Sequence, residues 1–172
     1  MKTLNILFLL LAVIFSGFSK DSESTKAGVT VPTRFDGVII QNFSSLTVCT
    51  PTGEPYPKIA HARTGWLSGN QTHGGRLITE QSTWTIVSCS TDFTTGINTS
   101  YVEGVNTVAN GDSYFYTAVM QVDGNTGHVI LNITIDGGTG RYEGASGYSV
   151  LTGYHTETSV PISGWGSVTF PR

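Results

Sequence analysis

The chain has 172 residues, a formal net charge of −3 and only 12% charged residues. No basic stripe runs through it, which argues against nucleic acid as a partner. Glycine is abundant (21 residues) and threonine frequent, and no segment of the mature region sustains the 3.6-residue apolar spacing of a helix, so the composition points to an all-β domain.

At the N-terminus, Lys2 precedes an almost uninterrupted apolar run from Leu4 to Phe15, followed by Ser16, Gly17 and Ser19. The run is shorter than the ~20 residues that span a bilayer. Positive charge, apolar stretch and small residues together predict a secretory signal peptide over residues 1–19, with an N-terminal membrane anchor as the alternative. The flank Ser16-Gly17-Phe18-Ser19-Lys20 resembles that of a bacterial lipoprotein with Phe18 where the acylated cysteine belongs. Without the thiol no lipid is attached, so a secreted or periplasmic protein with no membrane association after cleavage is expected. Residues 20–33 read as a flexible polar lead-in, and 34–172 as one domain of ordinary size.

In chain order, 34–43 is the first predicted strand. Residues 46–50 form a short one that stops at Pro51, and Pro51, Gly53, Pro55 and Pro57 predict a rigid loop outside any central sheet. Residues 60–67 follow, with a turn over 69–75. The longest run without Gly or Pro, 76–90, exceeds the usual strand length and is either one bent strand or two. Simple alternation places Arg76, Ile78, Glu80, Trp84 and Ile86 on one face. A loop is expected over 91–98. Residues 99–109 and 113–122 flank Asn110-Gly111, a hairpin signal because both residues tolerate positive φ. After a turn over 123–127, residues 128–135 alternate, with Val129, Leu131, Ile133 and Ile135 on one face. A glycine-rich corner and the runs 148–154 and 164–170 complete the domain. Eight or nine strands on short turns predict a single antiparallel up-and-down β-barrel of about eight strands. A β-sandwich is the competing architecture.

Cys49 and Cys89 both fall in β-type runs. An oxidising compartment favours their pairing. Two buried thiols, or a catalytic thiol activated by a neighbouring base, are the alternatives.

Three fragments carry a family resemblance: Asn70-Gln71-Thr72-His73-Gly74-Gly75, Ala109-Asn110-Gly111-Asp112 and Gly137-Gly138-Thr139-Gly140-Arg141-Tyr142-Glu143-Gly144-Ala145-Ser146-Gly147. In this order they resemble small secreted bacterial proteins of the allene oxide cyclase-like β-barrel family. The likeness runs from about Gly65 to Phe170, is strongest in the third fragment and weakest at Gly74, where relatives carry Leu. The resemblance implies a structural role for Gly138, Gly140, Arg141, Gly144 and Gly147: tight turns and close backbone approach, with Arg141 holding carbonyls or Glu143. It also implies a largely apolar cavity that orients a small molecule by steric control, and association as dimers or trimers. No polar residue of the family's enzymes carries over by position.

From the residues themselves, Arg76, Glu80 and Trp84 would put a cation, a carboxylate and an aromatic wall in line. That is a pocket if the face points inward and a solvated ion pair if it points outward. Tyr101 and Glu103 form a similar pair. Glu80 and Glu103 are the candidate acids or bases, and Arg76, Trp84, Tyr101 and Tyr116 the candidate cavity residues. Tyr114, Tyr116, Ala118 and Met120 form a stripe of core or cavity wall. The four histidines, His61, His73, His128 and His155, lack zinc-site spacing, so no metal is expected; His61 and Arg63 can reach a cavity or solvent equally well. Gly138-Thr139-Gly140 leads into no helix and is not a phosphate loop, so no cofactor is expected. The leading functional expectation is a barrel that binds an apolar or aromatic small molecule. A cyclase or isomerase acting by confinement, and a barrel filled by its own side chains, are the alternatives.

Overall fold

A computed structural model of the protein describes residues 28–52 and 60–172. The expected signal peptide, the lead-in up to residue 27 and the proline loop over 53–59 lie outside the described residues. The described chain consists of strands β1 (Val29–Val48), β2 (Thr50–Thr52), β3 (Ala60–Gln71), β4 (Gly75–Arg76), β5 (Thr83–Asp92), β6 (Ile97–Thr107), β7 (Ser113–Asp123), β8 (His128–Gly138), β9 (Ser146–Tyr154) and β10 (Ser159–Phe170). Two short 3-10 turns, Thr79–Gln81 and Gly140–Tyr142, interrupt them.

From β5 to β10 each strand pairs antiparallel with the next; β10 pairs with β1, β1 with β3, and β3 returns to β5. The result is a ring-like sheet of eight strands. The short strands β2 and β4 are additions to it. The ring is held unevenly. β1 and β10 are in register from Val29↔Phe170 to Ile40↔Ser159, whereas β3 and β5 meet only at Thr64↔Thr85, Gly65↔Trp84 and Trp66↔Thr83.

Alternation decides which faces are buried. On β8, Val129, Leu131, Ile133 and Ile135 point into the core while Asn132, Thr134 and Asp136 are exposed. Leu151, Val160, Ile162, Val168, Phe35, Ile39 and Leu67 complete the same core from neighbouring strands. Each such side chain contributes about 1.5–3 kcal/mol of burial.

Three stretches differ from the sequence reading. β1 begins at Val29, so the end of the expected lead-in is strand; it pairs along β10, and Thr30 Oγ1 lies 2.8 Å from Thr169 Oγ1. The expected separate strand over 46–50 is mostly the end of β1, which continues to Val48 through a register shift between Asn42 and Leu46. Pro51 sits in β2, a short parallel edge beside β5, where a missing N–H is tolerated. Finally, the 76–90 run is broken by the turn at Thr79–Gln81. Ser82 is fully buried, donates to the Thr107 carbonyl (3.4 Å) and accepts the Thr107 N–H (3.1 Å). The turn resets the alternation: Glu80 is exposed and Trp84 is buried, on no common face.

The β6–β7 hairpin forms where Asn110-Gly111 predicts it. Only Gly111 takes positive φ (90°), while the Asn110 side chain accepts the Asp112 N–H at 3.1 Å. The glycine-rich corner docks on this hairpin. Gly140 has φ 56° and sits against the Asp112 carboxylate, where a Cβ has no room. The Arg141 N–H donates to Asp112 Oδ2 at 3.3 Å. The Arg141 guanidinium lies over the Tyr142 and Phe170 rings, at 5.2 and 5.3 Å from their centroids, a cation–π arrangement in place of the expected carbonyl or Glu143 partner. Gln71, from the first fragment, donates to the Tyr142 hydroxyl at 2.9 Å. All three fragments that carry the family resemblance therefore meet at one end of the ring.

The opposite end is built from two copies of one turn. Asp92 Oδ1 accepts the Thr94 N–H at 2.8 Å and Oδ2 the Thr95 hydroxyl at 2.9 Å; Asp123 does the same with Asn125 and Thr126, both at 2.8 Å. These hydrogen bonds hold both carboxyls below their ordinary pKa. The turns touch through Gly124 N–H to the Gly96 carbonyl, 2.9 Å, and Asn125 Nδ2 to the Thr95 carbonyl, 3.2 Å. Near this end the Cys49–Cys89 disulfide forms, with Cα atoms 4.7 Å apart.

Candidate ligand cavity

A waist of Leu67, Ile133 and Leu151 divides the interior of the ring, because these three side chains wall the cavities on both sides of it. Toward the three-fragment end the space is almost filled, with a cavity of about 30 Å³. A chain of hydrogen bonds crosses it. Asn106 Nδ2 donates to the Tyr114 hydroxyl (2.8 Å), which donates to Gln71 Oε1 (2.9 Å), while Gln71 Nε2 donates to Tyr142. Burial pushes the Tyr114 and Tyr142 phenols above their ordinary pKa, so both stay neutral.

The other half is open. Below the waist lies a small apolar space of about 40 Å³, walled by Trp84, Tyr116, Val102, Leu131 and Ile162. It is continuous with a wider cavity of about 310 Å³ toward the twin turns, because Gln41, Trp84, Met120, Val122 and His155 line both. Together they reach the lower end of the ~300–1,000 Å³ range of small-molecule pockets, enough for one or two rings.

Local sequence explains how the wall is made. Tyr116 faces Gly104 across the β6–β7 ladder, and a Cβ at Gly104 would collide with the Tyr116 ring. The missing side chain on β6 lets the phenol lie flat against the inner surface. No room exists for a Cβ at Gly65 either, because the Ile40 carbonyl and the Trp84 indole occupy that place. Trp84 is 6% exposed, and its Nε1–H donates to the Trp66 carbonyl at 3.2 Å. On the floor near the disulfide, Asn98 donates to the Thr91 hydroxyl (2.9 Å) and accepts from the Ser100 hydroxyl (3.1 Å).

Two polar atoms of this half are not satisfied. Gln41 Oε1 and His61 Nε2 are buried and find no hydrogen-bond partner among the described residues. Both residues line the wider cavity. An unpaired buried acceptor or donor costs about 1–3 kcal/mol. Burial, with a smaller contribution from neighbouring His155, lowers the His61 pKa below its ordinary value of 6.5. At neutral pH the imidazole is therefore uncharged.

This lowering has a measurable consequence. The unfolded chain binds the His61 proton more tightly than the folded one, so the folded state loses stability as pH falls below 6.5. An NMR titration of the His61 ring protons is expected to give a midpoint below 6.5, and His155→Gln to move it part of the way back. A midpoint at or above 6.5 would contradict the burial described here.

Of the four cavity residues expected from sequence, Trp84 and Tyr116 meet in the open half. Arg76 and Tyr101 do not join them. Arg76 and Glu80 share an exposed groove with Leu77, Ile78 and Ala109. Tyr101, 54% exposed, and Glu103 point outward from β6 beside Val87 and Thr117. The inner positions of β6 are instead Asn98, Ser100, Val102 and Asn106. Both candidate carboxylates thus lie outside the interior cavities. Of the histidine pair considered with Arg63, His61 is half-buried and Arg63 exposed. Gln41, His155 and Asp123 carry no sequence signal of their own; each becomes a cavity residue only when β1, β7 and the β9–β10 connection come together. No group of three or more His, Cys, Asp or Glu side chains placed to hold a metal ion occurs among the described residues.

No family model, no curated protein and no solved structure matches this chain.

Proposed function

We propose that the protein is a secreted, single-barrel member of the allene oxide cyclase-like group that holds an apolar or aromatic small molecule in the open half of its interior. The carrying observation is an apolar cavity walled by Trp84, Tyr116 and Met120 whose mouth contains two buried polar atoms, on Gln41 and His61, left without partners among the described residues. Proteins seldom leave such groups unpaired, and a bound molecule would pair them. Closure of the sheet supports the barrel reading. The disulfide fits an extracellular or periplasmic location, and no helix among the described residues is long and apolar enough to cross a membrane.

The test uses the fluorescent probe N-phenyl-1-naphthylamine. Saturable uptake is expected, with energy transfer from Trp84. Met120→Trp places extra volume where the two cavities join and is expected to weaken uptake by about tenfold or more, since overfilling a packed site costs ~1–3 kcal/mol, while the thermal transition stays cooperative. Absence of saturable uptake, or uptake indifferent to Met120→Trp, would overturn the proposal.

A further inference from the structure

We infer that the ligand taken by this cavity is a neutral hydroxyl compound, a phenol or alcohol on an apolar body, and that carboxylates of the same shape are rejected. The inference rests on the binding reading above and adds the chemistry of the head group. Three observations carry it.

First, the unpaired atoms call for a particular group. Gln41 Oε1 accepts hydrogen bonds only, and a neutral imidazole has one nitrogen that donates and one that accepts. A hydroxyl has one proton to donate and an oxygen that accepts, so it satisfies Gln41 by donation and accepts from His61 where Nε2 carries the hydrogen. A carboxylate can only accept and leaves Gln41 Oε1 unpaired.

Second, the charges at the mouth are wrong for an anion. The titratable groups lining the mouth are His61, His155 and Asp123. His61 is neutral at neutral pH. Asp123 is held ionised by its turn. Among the described residues no Lys or Arg lines either cavity of this half, whereas Arg34 borders the filled half on the far side of the waist. Burying a carboxylate past a like charge, with no Lys or Arg among the described lining residues to pair it, is unfavourable.

Third, the deeper wall is apolar and partly aromatic, through Trp84, Tyr116, Val102 and Leu131. It offers dispersion contact for a ring, its indole N–H is already donated to the Trp66 carbonyl, and burial keeps the Tyr116 phenol protonated. The two unpaired atoms lie at the mouth, and the ligand places its polar end there.

The experiment compares naphthalene, 2-naphthol and 2-naphthoate near neutral pH by displacement of the fluorescent probe. The expected order is 2-naphthol tightest, by about tenfold over naphthalene, as one good hydrogen bond allows, with 2-naphthoate weakest. Gln41→Leu should abolish the naphthol advantage over naphthalene, and should not lower the unfolding temperature, because an unpaired buried acceptor is removed. His61→Phe serves as a second variant with the same expected loss of preference. If 2-naphthoate matches or exceeds 2-naphthol, or if neither variant changes the naphthol-to-naphthalene ratio, the head-group assignment is overturned and the cavity reading stands. If no probe binds, both are overturned.

Discussion

Trp84→Ala is expected to destabilise the protein by about 3–5 kcal/mol, the cost of truncating a large buried aromatic side chain. A shift of the denaturant midpoint at unchanged slope would show it. The effect is placed at the top of that range by position. Trp84 stands opposite Gly65 in the β3–β5 seam, which has only three register pairs. Its indole fills the space above Gly65 and donates across the seam to the Trp66 carbonyl. Alanine removes wall, wedge and hydrogen bond together where the ring is most thinly held. Trp84→Phe keeps most of the volume and should cost about 1–2 kcal/mol, the share of the lost hydrogen bond and the reduced contact. Equal costs for the two variants would contradict the wedge role.

Reduction of the disulfide, or the double substitution Cys49→Ala with Cys89→Ala, is the second large expectation. The bridge spans a sequence separation of 40, for which loop-closure entropy predicts about 4 kcal/mol. For a domain of this size that amounts to a fall in unfolding temperature on the order of 10 °C, readable by calorimetry with and without reductant. The bridge is well placed to deliver its full effect. Cys49 is buried where β1 gives way to β2, and Cys89 lies in β5, so the link ties strands that otherwise meet through the short β2 edge. An unchanged transition on reduction would mean that the reduced and unfolded chains retain the same contacts.

How far the sequence reads depends on how far away the deciding atoms lie. β8 and the β6–β7 hairpin are legible because their signals are local: a clean alternation from Val129 to Ile135, and a glycine free to take positive φ at 111. The break at Thr79–Gln81 is not legible, because the hydrogen bonds that make Ser82 a buried corner come from Thr107, far along the chain. The strand character of residues 29–33 likewise comes from β10, at the far end of the described residues. The candidate site shows the same division. Trp84 and Tyr116 announce themselves as large aromatics in strand runs. The inward face of β6 misleads, because Tyr101 and Val105 look more apolar than Asn98, Ser100 and Gly104. The structure turns the small and polar set inward because the volume is supplied from across the ladder by Tyr116. Gln41 and His61 become informative only through what they lack.

The pairing of β10 between β9 and β1 also governs how the molecule can be made. If the strands add in chain order, β1 to β3 and each later strand to its predecessor, the chain before β10 is an open sheet with one bare edge at β1 and another at its newest strand. Bare edges recruit neighbouring chains. The last strand fits between the two, and its arrival removes both edges at once. Without β10 the eight-stranded ring would therefore keep two bare edges open to self-association, and with it the ring has none.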